Sequence, residues 1–403
     1  MTDHRIARML ARADELAALT EQPPGITRTY LTPMHRAANE RVAEWMREAG
    51  LDVRVDAAGN VRGSRNAGNG APLLIGSHLD SVPDAGRYDG VLGVLLGIEA
   101  AAELATTDVA IEIIGFAEEE GVRFGTTLMA SRAVAGTWDD DWLAIEDANG
   151  VTLAEAAREF GLDPATMGVA GAGGTPAGYL EVHIEQGPVL ESLDAPVGVV
   201  TAIAGARRRA VRVTGSAAHA GTAPMHLRRD ALVAAAEAVV AIETIAREHG
   251  VVATVGKLDN APNGINVVPG EVRFTIDARA AEDAARDAAL VDIDAALAAI
   301  ARARDVDVAI EELHRASAVA CDEGLAALFA EAVAAANLPV HRLPSGAGHD
   351  AMAIADLCPV AMLFIRSPGG ISHHPDESVI AADVSVALDV LIDTVRRYHQ
   401  SSL

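Results

Sequence analysis

Cysteine and aromatic residues are scarce in this 403-residue chain, and acidic residues far outnumber basic ones. Only Cys321 and Cys358 are present, which is too few for a disulfide framework or a thiolate zinc site. Aromatic residues make up 3% of the sequence, so we expect a core of Ala, Val, Leu and Ile. The 57 acidic and 32 basic residues give a net charge of −25. Such a surface repels phosphate backbones, so nucleic acid is not an expected partner.

The sequence also offers no candidate membrane span. Residues 1–19 mix charged and apolar residues at helical spacing, which predicts an amphipathic helix and no signal peptide. Together with the two cysteines, this favours a reducing cytoplasm as the location.

Half of the residues are hydrophobic, and the chain is longer than one ordinary core requires, so we expect two domains. Apolar strands alternate with helices in the first and last parts, which predicts an α/β fold with a mostly parallel sheet. The middle part predicts an α+β unit with two long helices on one face of an antiparallel sheet. We therefore expect residues 1–206 and 317–403 to form one domain, with residues 207–316 inserted into it.

Four loops of the predicted parallel sheet, each following a predicted strand, carry histidine or carboxylate side chains. Because such loops converge at the carboxyl edge of the sheet, we expect these side chains to meet there. The four sets are His78/Asp80/Asp89, Glu118/Glu119/Glu120, His183/Glu185 and His373/His374/Asp376/Glu377.

Imidazole and carboxylate ligands without thiolate suit Zn²⁺, Mn²⁺, Co²⁺ or Ni²⁺. Two metals need a bridging carboxylate, and Asp89, in a tight turn before a helix, is the natural one. Asp80 is placed to fix the tautomer of His78. Each set also has an ordinary interpretation: residues 118–120 as a solvated charge run, His183 as a core histidine, and the pair at 373–374 as a simple turn.

These loops and several other segments resemble the two-metal amidohydrolase superfamily that includes the aminoacylases and carboxypeptidase G. They are most similar to its hydantoinase/carbamoylase branch, which contains N-carbamoyl-L-amino-acid hydrolase and allantoate amidohydrolase. The matching segments run in order through most of the chain: Gly76–Val82, Tyr88–Gly90, Glu119–Phe124, His183–Pro188, His219–Thr222, Asn266–Gly270, Asp277–Arg279, Ser345–Asp350 and Ser372–Pro375.

The resemblance implies a role for each matching position. One metal would be held by His78 and His183, the other by Glu120 and His373, with Asp89 bridging the two. Asp80 would orient His78, and Glu119 would be the general base that takes a proton from the metal-held water. The choice of Glu119 as base and Glu120 as ligand follows the Glu-Glu-Gly pattern, and that of His373 follows Ser-His-x-Pro.

The resemblance also implies residues that contact the substrate. Asn266 and Arg279 would grip its carboxylate, with Arg207 as a weaker candidate. His219 would polarise the scissile carbonyl, and Gln186 would bind the ureido group. The inserted ferredoxin-like domain would dimerise edge to edge and close as a lid on hinges near residues 205 and 316, so a homodimer is implied. Whether His219 acts in its own subunit or in its partner is left open.

The implied reaction is metal-dependent hydrolysis of an N-carbamoyl (ureido) group on a small carboxylate such as an N-carbamoyl-L-amino acid. Allantoate amidohydrolase is one alternative, and an N-acyl amino-acid deacylase or dipeptidase on the same scaffold is another. A metal-free small-molecule binding protein that kept the fold is the alternative outside the enzymes.

Overall fold

The computed structural model describes residues 3–66, 70–171 and 174–401. The chain divides into two compact units, one formed by Met1–Thr201 with Cys321–Leu403 and the other by Ala202–Ala320.

The strands of the described residues follow in chain order. They are β1 Asp52–Val55, β2 Val61–Arg65, β3 Leu73–His78, β4 Ile111–Phe116, β5 Gly178–Ile184, β6 Val197–Ile203, β7 Gly205–Thr214, β8 Ala218–His219, β9 Val252–Thr254, β10 Leu258–Ala261, β11 Val267–Val268, β12 Glu271–Ala280, β13 Asp307–Ala316, β14 Val319–Ala320, β15 Arg342–Ser345 and β16 Val360–Ile365.

The helices are numbered in the same way. They are α1 His4–Ala17, α2 Pro33–Glu48, α3 Val91–Glu103, α4 Met129–Ala135, α5 Leu153–Phe160, α6 Val189–Ser192, α7 Ala231–His249, α8 Asp283–Arg304, α9 Glu323–Ala335, α10 Ala351–Ile354 and α11 Ala381–Ser401. Among the described residues, every helix is too short or too polar to span a lipid bilayer.

The first unit is built on a sheet with the strand order β1-β2-β4-β3-β5-β16-β6, in which β15 also pairs with β6. The central strands β4, β3, β5 and β16 are mutually parallel. The outer pairs β1/β2, β2/β4 and β16/β6 are antiparallel. The prediction of an α/β fold with a mostly parallel sheet is therefore confirmed.

The parallel strands are buried along their whole length, as expected for a sheet covered on both faces. Helix α3 lies against β3 and β4 and is buried over most of its length, which explains why its sequence is apolar nearly all round. The core that these elements share consists mainly of aliphatic side chains, with Trp45 and Phe329 as its aromatic members. The carboxyl ends of the four parallel strands consequently lie at one edge of a rigid sheet.

The second unit contains an antiparallel sheet in the order β10-β12-β7-β13, with β9 also paired to β12. Strand β7 pairs along all ten of its residues with β12. Helices α7 and α8 bury their apolar side chains with alternate residues of β7 and β12, among them Val211, Phe274 and Ile276. A separate two-stranded ribbon of β8 and β11 pairs His219 with Val267. The dimerisation and lid roles expected of this unit stay predictions.

Candidate metal centre

His78 is the last residue of β3 and is almost completely buried. Its Nδ1 atom lies 3.1 Å from the carbonyl oxygen of Asp80 and 3.4 Å from the carboxylate of the same residue. A carbonyl oxygen only accepts hydrogen bonds, so Nδ1 carries a proton, and in the neutral ring Nε2 would offer its lone pair to a cation. Gly90 leaves room for this ring, because a Cβ atom there would lie 2.5 Å from three of its carbon atoms. The end of β3 and the start of α3 thus fix one orientation of the imidazole.

His183, in the neighbouring strand β5, directs its Nε2 atom toward Nε2 of His78. Its Nδ1 lies 2.9 Å from the carbonyl oxygen of Ile184, and burial lowers its pKa to about 4, so the ring is neutral at pH 7. The Nε2 atoms of His183 and His78 are 3.4 Å apart, and Asp89 Oδ1 lies 3.2 Å from His183 Nε2. Lone pairs and a carboxylate this close together are the donor set of a divalent cation.

Asp89 lies between this histidine pair and the loop after β16. Its Oδ2 atom is 3.1 Å from Nε2 of His373, and its two oxygens accept hydrogen bonds of 3.2 and 3.1 Å from the amide of Gln186. Burial opposes ionisation, but the hydrogen bond with His373 and the nearby histidines lower the pKa of Asp89. Glu377 stabilises the turn that contains Asp89, because its carboxylate accepts the backbone N–H of Asp89 at 3.2 Å. Asp89 is therefore an ionised carboxylate with one oxygen toward each side.

Three adjacent glutamates follow β4, and they are not a solvated charge run. The carboxylate of Asp80 accepts the backbone N–H of Glu119 at 3.0 Å and that of Glu120 at 3.1 Å, which fixes the turn. The buried carboxylate of Glu118 is used within the turn, where it accepts the N–H of Met129 at 2.8 Å and also bonds the N–H of residue 121. Glu119 and Glu120 are left with their carboxylates beside His78.

The buried charges at the carboxyl edge of the sheet favour binding of a cation. Burial is the main cause that raises the pKa of Glu119 well above its usual value and that of Glu120 to about 7. For His78 burial acts in the other direction, but Asp80 and Asp89 outweigh it and raise the imidazole pKa well above 6.5. Several buried carboxylates therefore compete for protons, and divalent cations would neutralise them.

The loop after β16 brings His373, and not His374, to the cluster. Nε2 of His373 lies 3.5 Å from Oε1 of Glu120, in addition to its contact with Asp89. His373 has a left-handed backbone with φ of 54°, which is uncommon for a residue other than glycine. His374 instead accepts the backbone N–H of Asp376 and is mostly exposed.

The ligand atoms form compact groups, within each of which all atoms lie within 4.8 Å of one another. One group is His78, Asp89 and His183, and a second is Asp89, Glu120 and His373. Asp89 belongs to both, which is the arrangement that a bridging carboxylate requires. A third group joins the Glu119 and Glu120 carboxylates to His78.

Sequence reasoning gave no role to a polar layer beneath the cluster. Glu181 and His349 are buried and lie within 4.8 Å of the ligand atom of His183. Glu181 accepts hydrogen bonds from Ser77 Oγ at 3.1 Å and from a backbone N–H at 3.0 Å, and His349 contacts Ser345 Oγ at 2.7 Å. The available signal was a glutamate inside an otherwise apolar strand, since a buried carboxylate needs partners.

Four of the expected substrate-binding residues lie on the second unit: Arg207, His219, Asn266 and Arg279. Arg279 makes a bidentate pair with its neighbour Asp277, at 3.0 and 2.9 Å. Arg207 is paired with Glu312 at 2.7 Å. His219 and Asn266 are exposed near the β8–β11 ribbon. Their approach to a substrate stays a prediction, as does the ureido contact of Gln186, whose amide is bound to the Asp89 carboxylate.

Known proteins resemble this chain over nearly its whole length. N-carbamoyl-L-amino acid amidohydrolase of Geobacillus stearothermophilus is 42% identical over 402 residues, which cover 98% of each chain. A probable allantoate deiminase of Oryza sativa subsp. japonica is 39% identical over 95% of this chain and 87% of its own length. The crystal structure of a hydantoinase/carbamoylase family amidase from Burkholderia multivorans superimposes with a TM-score of 0.91, at 34% identity, covering 98% of this chain and 97% of that one.

The chain belongs to peptidase family M20/M25/M40, whose model matches residues 74–397. The resemblance found in the motifs is thereby confirmed, and the protein is a metal-dependent hydrolase of C–N bonds. Family membership and the histidine and carboxylate groups together indicate a divalent metal site.

The space at Gly90 gives a test of this site. Its φ is 65°, and an added methyl group would collide with the His78 ring, so Gly90→Ala is expected to turn that imidazole away. We expect metal affinity to fall by about 10–100-fold, as when a ligand loses its support. The measurement is metal retention during dialysis against a chelator series. Gly136→Ala is the matched control, because φ is 77° there and no atom lies within 4 Å of the new methyl group. Equal retention in both variants would contradict the assignment.

Proposed function

We propose that the protein hydrolyses the N-carbamoyl group of a small carboxylate, such as an N-carbamoyl-L-amino acid, to the amino acid, ammonia and carbon dioxide. The observation that carries the proposal is the full-length similarity to an enzyme named for this substrate class. The Asp89-centred cluster supports the same chemistry, because it can hold cations beside a buried carboxylate base.

The proposed ligands are His78 and His183 for one ion and Glu120 and His373 for the other, with Asp89 shared. Their imidazole and carboxylate donors fit Zn²⁺ or Mn²⁺, and also Co²⁺ or Ni²⁺. When bound, such ions lower the pKa of a water molecule and polarise a carbonyl group. Asp80 stabilises the proposed ligands in two ways. Its carbonyl oxygen contacts Nδ1 of His78, and its carboxylate accepts the backbone N–H of Glu119.

Glu119 is the proposed general base. Its carboxylate takes a proton from the attacking water and delivers it to the leaving nitrogen, so that the C–N bond breaks with release of a neutral amine. Two features support this role. Its backbone is fixed by Asp80, and its Oε1 atom faces Gly348, where a Cβ atom would lie 3.4 Å away.

The second unit is proposed to supply the contacts to the substrate. Arg279 and Asn266 would bind the substrate carboxylate, with Arg207 as a further candidate, and His219 would stabilise the developing oxyanion. Gln186 would reach the ureido group from the edge of the Asp89 cluster. We further propose that this unit, placed at residues 207–316, forms a homodimer and closes as a lid. A cytoplasmic location stays an expectation.

Allantoate is the second candidate substrate, and the similarity to a probable allantoate deiminase favours it specifically. An N-acyl amino acid or a dipeptide would suit the same scaffold. A metal-free binding protein is disfavoured, because each position of the proposed ligand set carries a histidine or a carboxylate.

The test is an assay of ammonia release by protein loaded with Mn²⁺ or Zn²⁺. The substrates are N-carbamoyl-L-amino acids, allantoate, and N-acetyl-L-amino acids, the last assayed for the free amine. We expect ammonia from the N-carbamoyl compounds. Release from allantoate alone would select the second candidate, and amine from the N-acetyl compounds alone would contradict ureido hydrolysis.

A further inference from the structure

Glu377 is a buried carboxylate in the loop that carries His373, and it is not one of the proposed ligands. Its residue is 4% exposed, although the side chain of the preceding Asp376 is largely open to solvent. Among the described residues, the compact ligand groups do not include Glu377. Burial of a carboxylate is costly unless charges or hydrogen-bond donors compensate it. The donors that reach Glu377 therefore indicate its role.

One oxygen of Glu377 is bound to the turn that contains the proposed bridging carboxylate. Its Oε1 accepts the backbone N–H of Tyr88 at 2.9 Å and that of Asp89 at 3.2 Å. Gly86 leaves room for this contact, because a Cβ atom there would lie 2.3 Å from Oε1, Cβ and Cδ of Glu377. The position of the Asp89 backbone thus depends on a side chain from another loop.

The other oxygen of Glu377 is bound within its own loop, next to His373. Oε2 accepts the hydroxyl of Ser372 at 3.1 Å, and Ser372 directly precedes His373 in the chain. The backbone N–H of Glu377 also closes a turn, by donating to the carbonyl oxygen of His374 at 3.0 Å. A single carboxylate group therefore connects the Asp89 turn to the loop that carries His373.

The two ligand groups that share Asp89 depend on this connection to different extents. The first group is His78, Asp89 and His183, and the second group is Asp89, Glu120 and His373. In the second group two of the three ligands, Asp89 and His373, lie in segments that Glu377 contacts. In the first group only Asp89 does, because both imidazoles are oriented by backbone carbonyl oxygens one or two positions later in the chain. Loss of the Glu377 contacts should therefore disturb the second group more than the first.

We propose that Glu377 is a positioning residue that fixes the Asp89 turn against the His373 loop and so determines how tightly the second group binds its ion. It acts by accepting hydrogen bonds and does not contact the ion itself. The inference rests on the proposed function, since it uses the ligands proposed there. Its test measures metal content, which is independent of hydrolysis.

The test is stepwise removal of Mn²⁺ from the loaded protein by dialysis against a chelator series, with metal counted per chain. We expect the wild type to lose two ions in two steps, and His373→Ala identifies the step that belongs to the second group. In Glu377→Ala the affinity in that step should fall by about 10–100-fold, with a smaller change in the other step. Asp376→Ala is the control from the same loop and should match the wild type.

Glu377→Gln separates positioning from direct coordination. The amide oxygen of glutamine can accept the N–H groups of Tyr88 and Asp89, and its NH₂ group can donate to the hydroxyl oxygen of Ser372. We therefore expect Glu377→Gln to restore the affinity that Glu377→Ala loses. Equal loss of metal in both variants would overturn the proposal, because it would show that the charge of Glu377 is required.

Other results of the same experiment would also overturn the proposal. They are wild-type release from a folded Glu377→Ala, equal shifts of both steps, and a single ion per chain in the wild type. If circular dichroism shows that Glu377→Ala does not fold, Ser372→Ala takes its place. It removes one of the three contacts and should weaken the second group by roughly 2–10-fold, and an unchanged affinity would contradict the proposal. Absence of ammonia release in the substrate assay would refute the proposed hydrolysis but leave these metal contents unchanged.

Discussion

Glu119→Gln is expected to lower kcat by about 10²–10⁴-fold while the protein keeps its metal. Glutamine has the shape of glutamate but cannot take a proton from water at neutral pH. The backbone N–H of residue 119 still reaches the Asp80 carboxylate, so the turn and the Glu120 carboxylate stay in place. The measurements are steady-state release of ammonia and elemental analysis of the same samples.

The control for this variant is Glu118→Gln, the adjacent buried carboxylate. Its oxygens accept backbone N–H groups within the turn and at the start of α4, so it is expected to affect stability more than kcat. If Glu119→Gln kept kcat within a few-fold of the wild type, the base would have to be another residue. If both variants lost activity equally, the turn rather than the base would be responsible.

Asp89→Asn is expected to remove metal from both groups of ligands at once. The residue contacts His183 at 3.2 Å and His373 at 3.1 Å through different oxygens, and asparagine offers one neutral oxygen in their place. Loss of a residue that only hydrogen-bonds to a metal ligand lowers metal affinity by roughly 10–100-fold. The loss in Asp89→Asn should be larger, and activity should fall with it. Metal content per chain after dialysis is the direct measurement.

Asp376→Asn is the control, because that carboxylate lies in the loop that carries His373, is mostly exposed and contacts only His374 among the described side chains. We expect it to retain metal and activity. A full metal complement in Asp89→Asn would show that this residue does not bridge, and metal lost equally from both variants would show that the loss is not specific to the Asp89 carboxylate.

The parallel strands could be predicted closely because their sequences carry a strong signal. Apolar runs at residues 73–75 and 360–365 predict strands, and the structure has Leu73–His78 and Val360–Ile365. Burial on both faces requires apolar residues at nearly every position, which leaves little ambiguity. For the same reason the order of strands and loops predicts which histidines and carboxylates meet at the sheet edge.

Shorter elements were missed where their signals are local. Helix α5 was not predicted, although Thr152 and Glu155 form a capping box at its start that the Thr-x-x-Glu pattern could have revealed. Strand β6 was not predicted either. Its sequence, Val-Gly-Val-Val-Thr-Ala-Ile, is rich in β-branched residues that favour strands, and its place in the sheet is set by pairing with β16.

Contacts that depend on tertiary packing could not be read from the chain. Sequence reasoning gave Asp80 the task of orienting His78, but its carboxylate also binds the glutamate turn about forty residues away. Glu377 accepts the N–H groups of Tyr88 and Asp89, 289 and 288 positions earlier. Such contacts follow from strand order in three dimensions, which no local pattern encodes.

The order in which the candidate ligands occur in the chain has a consequence for biosynthesis. The first is residue 78 and the last is residue 373, so a ribosome adds 295 residues after the first ligand before the set is complete. A nascent chain can offer His78, Asp89 and His183, but the group that contains His373 must wait for β16 to dock beside β5. Loading of the second group is therefore expected to report completed folding, and metal supplied during refolding should favour the finished fold over its intermediates.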